Sequence, residues 1–168
     1  MNKITIPKII TITSDAFEDG EMIPKKYTCE GKNISPQLSW NNIPEKTRSL
    51  VITCLDPDAP TENPFVHWII YNIPVTRKTL PENIPNNREI LLEKGIKQGT
   101  NDFNQIGYKG PCPPVGKIHR YVFTIYALNN PIELDAGERI AALFKAMSNH
   151  VLAQGQIEGR FSRKKFIK

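Results

Sequence analysis

Three short segments carry the side chains that could do chemistry. "DPDAP" (56–60) holds Asp56 and Asp58 between Pro57 and Pro60. "FVHW" (65–68) holds His67, and "HRY" (119–121) holds His119 and Tyr121 two positions apart. Alternate residues of a strand share a face, so His119 and Tyr121 point the same way. Just upstream, "GYKGPCPPVG" packs prolines and glycines more densely than a plain connection needs. Gly107 and Gly110 permit backbone conformations that turn successive N–H groups inward as an anion-binding nest. Two imidazoles, a phenol and backbone amides suit the oxygens of a phosphate monoester. A carboxylate repels phosphate unless the ligand brings an ammonium for Asp56, as phosphorylethanolamine does, or Asp56 stays protonated through a raised pKa.

Each piece alone has an ordinary explanation. An Asp-Pro pair is a turn former whose carboxylate caps nearby amides. A single histidine in an apolar strand is usually a satisfied core residue. Convergence of the three segments is what would make a site. The rival chemistry is a hydrolytic enzyme, metal- or acid/base-assisted, that uses Asp56, His67 and His119. Against it, no serine follows a nucleophile-elbow pattern and no HExxH helix occurs. Two histidines and an aspartate suffice for an open metal site, so composition does not exclude one; no cofactor is expected.

These residues need strands to position them. "ITIPKIITIT", "SLVITCL" (49–55), "FVHWIIYNI" (65–73) and "HRYVFTIYAL" (119–128) are dense in β-branched and aromatic residues. Strict alternation groups Phe65, His67 and Ile69 on one face, and separates His119, Tyr121, Phe123 and Ile125 from Arg120, Val122, Thr124 and Tyr126. "DAGERIAALFKAMSNH" predicts a helix capped by Asp135, with Glu138 closing a capping box and Ile140, Leu143, Phe144 and Met147 as the core stripe. The second half of "VLAQGQIEGRF" reads as a last strand. The turn-rich stretch between "FVHWIIYNI" and "HRYVFTIYAL" is a long loop region, of the kind that often carries function.

At 168 residues the chain suits a single domain, 1–168, able to bury a core without staples. Its net charge of +5 comes from "RFSRKKFIK" (160–168); without that tail's five cations, basic and acidic residues balance at 17 each. A nucleic-acid-binding face spread over the domain is therefore not expected. The tail, with Phe161 and Phe166, could give at most weak peripheral contact with an anionic membrane, about 1 kcal/mol per charge; a solvated end is the plainer reading. Cys29, Cys54 and Cys112 form no CxxC pair and are expected to be free thiols in a reducing cytoplasm. No run reaches the length of a membrane span, and the N-terminus lacks a signal-peptide pattern, so a cytoplasmic location is expected.

The run "YTCEGKNISPQLSW…SLVITCLDPDAP…FVHWIIYNIP…QGTNDFNQIGYKGPCPPVGKIHRYVFTIYAL" resembles the phosphatidylethanolamine-binding protein (PEBP) family in its bacterial and archaeal branch. Eukaryotic members include the Raf kinase inhibitor protein. The resemblance implies a mainly β fold, an antiparallel sandwich with a large central sheet, a long loop region and one helix near the C-terminus. It also implies a small surface pocket for phosphate, phosphorylethanolamine or a carboxylate, in a non-enzymatic binding protein. That pocket carries over to Asp56, Pro60, His67, Gly110, Pro111, His119 and Tyr121, with Asp58 nearby. By analogy with relatives, a protein kinase or protease is a candidate target.

Overall fold

The β-branched segments form strands that a computed structural model describes for residues 5–90 and 92–164. In chain order they are β1 (Thr11–Thr13), β2 (Leu38–Asn41), β3 (Ser49–Asp56), β4 (Phe65–Ile73), β5 (Thr79–Leu80), β6 (Lys97–Gln98), β7 (Ile118–Leu128) and β8 (Val151–Ser162). One helix, α1 (Ile140–Met147), precedes β8. A five-stranded antiparallel sheet runs β6-β4-β3-β7-β8, and a three-stranded one runs β1-β2-β5.

Residues buried on both faces make β3 the middle of the large sheet. Leu50, Ile52 and Cys54 join Trp68, Phe123 and Ile125, and meet Leu38, Trp40 and Leu80 of the small sheet. Val51, Ile69 and Tyr71 face the other way and are covered by Leu143 and Met147 of α1. Each such large side chain contributes about 1.5–3 kcal/mol on burial, so the sandwich is held mainly by these two apolar layers.

The helix starts later than its sequence pattern predicts. Arg139 is the N-cap residue, no side chain caps the helix, and Asp135 lies outside it. The cause is tertiary. Gly137 sits at φ +87°, where a helix cannot continue. Its amide donates to Gln98 O, and the Thr100 amide donates to Glu138 O, so this segment is committed to the neighbouring loop. Leu143 and Met147 are core as expected, whereas Phe144 is 40% exposed.

Two further expectations are corrected. Cys29 and Cys112 form a disulfide, and only Cys54 remains a free thiol, buried in the core. The bridge spans 83 residues of sequence, which spacing alone cannot pair, and it removes the argument from free thiols for a reducing compartment. The basic tail is also less free than expected. Arg160–Ser162 complete β8, Phe161 is in the core, and Arg163 Nε donates to Pro113 O. Phe166 lies outside the described residues. No described helix is long and apolar enough to cross a membrane.

Candidate functional site

The strand ends deliver the candidate residues to one place. Cys54 pairs with Phe123 in the register of β3 and β7, so the next same-face positions toward the sheet end are Asp56, Tyr121 and His119. Strict alternation on β4 would send His67 toward α1 with Ile69. A β-bulge prevents this. Cys54 pairs with Trp68 but Leu55 pairs with Val66, which leaves His67 as the extra residue. Bulges re-aim side chains in this way. His67 consequently leaves the helix-side face, and its ring stands edge-on to Tyr121 with centroids 5.1 Å apart.

Both imidazoles are held by their Nδ1 atoms. His119 Nδ1 lies 2.7 Å from Asp56 Oδ2, and the other Asp56 oxygen accepts the Asp58 amide at 2.8 Å. His67 Nδ1 lies 2.6 Å from Lys109 O. A carbonyl can only accept, so Nδ1 of His67 carries the hydrogen, and the Asp56 carboxylate favours the same tautomer in His119. Each ring is left with Nε2 free of protein hydrogen-bond partners among the described residues. Burial holds the His67 pKa below its ordinary value, against the opposing pull of the Lys109 carbonyl and Asp56.

Between the rings lies a hollow of about 290 Å³, lined by Asp56, Pro60, Phe65, His67, Cys112 and His119 among others. A larger groove of about 630 Å³, near Tyr126, Phe144 and Met147, has no charged or imidazole side chain in its lining. Tyr121 stands behind His67, wholly buried, and its hydroxyl has no hydrogen-bond partner among the described residues. Burial, with Asp56 nearby, pushes its pKa well up, so the phenol is a potential donor. The Cys112 backbone opposes that rise without completing a well-aligned hydrogen bond.

The glycine loop supports the wall by means other than an open nest. The Gly107 amide donates to Gly99 O, and the Gly110 amide donates to Asn33 Oδ1 at 2.7 Å. Neither amide is free for a ligand. Gly110 is glycine because of close approach: a Cβ there would lie 2.1 Å from Tyr27 O. Pro111 O accepts the Cys29 amide, so Pro111 is tied to the 25–33 loop.

The two aspartates of "DPDAP" part company. Asp58 accepts the Arg120 amide and forms a two-pronged ion pair with its guanidinium. Arg120 lies on the opposite face from His119, and it holds the Asp58 carboxyl below its ordinary pKa. Sequence reasoning omitted Phe103, Cys112, Pro113 and Pro114, which also line the hollow. The last three were legible as neighbours of Gly110 and Pro111. Phe103 was not, because it arrives on the loop after β6, where Asp102 Oδ2 accepts the Val66 amide.

A family model described as phosphatidylethanolamine-binding protein matches residues 13–162. The chain belongs to this family. A UPF0098 protein of Methanothermobacter thermautotrophicus is 42% identical over 154 residues, covering 92% of this chain and 99% of that protein. Among solved structures, Escherichia coli YbcL, described as a member of the mammalian PEBP family, matches with a TM-score of 0.85 and 34% identity over 95% of this chain and 99% of that one. A PEBP homologue from Chlamydia trachomatis gives 0.83 and 36%, over 93% and 99%. Family and fold together make this PEBP chain a binding-type protein.

Proposed function

We propose that the hollow between His67 and His119 binds a small oxyanion without turning it over. The ligand class is a phosphate monoester, a phosphorylethanolamine headgroup or a carboxylate. One observation carries this: two buried imidazoles, each held through Nδ1, line one cavity of about 290 Å³. A cavity of that size sits at the lower limit for ligand pockets and suits a headgroup rather than acyl chains. Both oxygens of Asp56 accept hydrogen bonds within the protein, so the carboxyl orients His119 instead of facing the anion directly. A phosphorylated or carboxylate side chain of a protein would be read by the same groups, which is how an inhibitor of a kinase or protease would use this hollow.

The Asp56–His119 pair also has the geometry of a general base with its orienting acid. The lining supplies no free nucleophile to go with it. Cys112 is in a disulfide, and Thr61 Oγ1 donates to Asn63 O. Among the described residues no three metal-ligating side chains are grouped to hold an ion. Calorimetric titration with phosphate, phosphorylethanolamine and acetate tests binding, and a parallel screen with aryl phosphate and aryl acetate esters tests turnover. Saturable 1:1 binding without hydrolysis is expected. Vesicles of phosphatidylethanolamine distinguish a lipid headgroup from the free ester. Turnover abolished by His119→Ala would overturn the non-enzymatic reading.

A further inference from the structure

The wall of the hollow is fastened to a distant loop, and the fastening is chemically reversible. Cys112 lines the hollow and is exposed, while Cys29 is half-buried in the loop after the short helical turn Lys25–Tyr27. Around the bridge, Tyr108 Oη donates to Tyr27 O at 2.6 Å, and the Cys29 amide donates to Pro111 O at 3.1 Å. These bonds and the Gly110–Asn33 contact anchor the base of the wall. The bridge is what joins its rim at Cys112 to that loop.

We propose that the Cys29–Cys112 disulfide is a redox latch that keeps the hollow in its anion-binding state. The proposal rests on the oxyanion reading of this hollow and adds its regulation. The reductant is a dithiol. One of its thiolates attacks the accessible Cys112 sulfur, the S–S bond breaks, and Cys29 leaves as a thiolate. The dithiol's second sulfur then displaces Cys112. Two electrons pass to the protein, the reductant becomes a disulfide, and two protons complete the cysteine thiols.

Reduction acts on the anion in two ways. It frees the rim from the 25–33 loop, and a wall that is ligand-ready one-tenth of the time weakens apparent affinity tenfold. It also leaves a polar thiol at the edge of a cavity that His67 and His119 line, where it competes with the anion for their ring nitrogens. Neither Cys29 nor Cys112 is a member of the apolar core, and Cys54 is buried there as a free thiol and takes no part.

The test is phosphate titration by calorimetry of the oxidised protein, of the protein reduced with dithiothreitol, and of the same sample reoxidised. Alkylation with iodoacetamide verifies that two thiols are released, and near-ultraviolet circular dichroism verifies the fold. We expect affinity to fall about tenfold on reduction and to recover on reoxidation. By linkage, saturating phosphate should lower the bridge's reduction potential by about 30 mV, the two-electron equivalent of that tenfold change. The double variant Cys29→Ser/Cys112→Ser should bind as weakly as the reduced protein and ignore dithiothreitol. Equal affinity before and after two thiols are released would overturn the latch while leaving the oxyanion reading intact. No phosphate or phosphorylethanolamine binding by the oxidised protein would overturn the oxyanion reading, and the latch with it. Loss of the whole fold on reduction would also overturn the latch, because the bridge would then be a staple of the domain.

Discussion

Acidification should strengthen anion binding at His67. In the empty hollow this ring is neutral near neutral pH, because burial holds its pKa below the usual 6.5. Its one hydrogen is on Nδ1 and faces Lys109 O, so Nε2 has only a lone pair to offer. An oxyanion there needs Nε2–H, and binding must bring in a proton. An opposite charge at contact raises a pKa by about 1–3 units. Taking about two, the dissociation constant falls tenfold per pH unit between the free and bound pKa values, about a hundredfold in all, and is flat outside that window. Stability of the empty protein runs the other way. The unfolded chain takes up His67's proton near pH 6.5 and the folded chain only lower. Stability is therefore full above the unfolded value and is lost as pH falls from there toward the folded one. Sulfate is the suitable probe, since its charge is constant over about pH 5–8, and calorimetry in buffers of different ionisation enthalpy counts the protons taken up. His67→Asn keeps a donor for the Lys109 carbonyl and removes one titrating nitrogen, so its sulfate affinity should lose the part of the pH dependence that His67 carries. Wild-type binding without proton uptake, or an unchanged pH profile in His67→Asn, would refute the reasoning.

Three further outcomes are expected. By calorimetry, His119→Ala should weaken phosphate binding by about tenfold or more, the loss of one charge-assisted hydrogen bond, whereas Arg120→Ala, on the opposite face, should change it less than threefold; equal losses would contradict the strand register. Tyr121→Phe removes a buried hydroxyl with no partner among the described residues, so chemical denaturation should show stability changed by less than about 1 kcal/mol, and weaker phosphate binding would show that the phenol donates to the anion. Gly110→Ala forces a methyl against the Tyr27 carbonyl and should lower stability by about 1–3 kcal/mol in the same assay.

The segments that are apolar on both faces read correctly as strands because a buried strand leaves no other use for such residues. "FVHWIIYNI" matches β4 from Phe65 to Ile73. Alternation placed the β7 side chains properly, with Tyr121, Phe123 and Ile125 in the inter-sheet core and Arg120 exposed. On β4 the same rule misplaced His67, because a bulge is a property of the pairing between two strands and leaves no mark on one of them. The capping box at Asp135 was locally sound but lost to hydrogen bonds with Gln98 and Thr100, partners that only the tertiary fold supplies. The nest expected at Gly107 and Gly110 failed for a related reason. Glycine reports that backbone approaches closely, and here the approaching group at Gly110 is Tyr27 O and not a ligand. Cys29 and Cys112 looked unpaired because the bridge joins residues that meet only after folding.

The central claim is that two imidazoles share one anion. Nitrogen-15 NMR of the three histidines during a phosphorylethanolamine titration tests it most directly. His150 serves as the internal control, since its Nδ1 faces Asn129 Oδ1 and it lies outside the hollow. The Nε2 resonances of His67 and His119 should move together along one saturating curve with a single dissociation constant, while those of His150 stay fixed. Movement of only one ring, or of all three in parallel, would contradict a shared site.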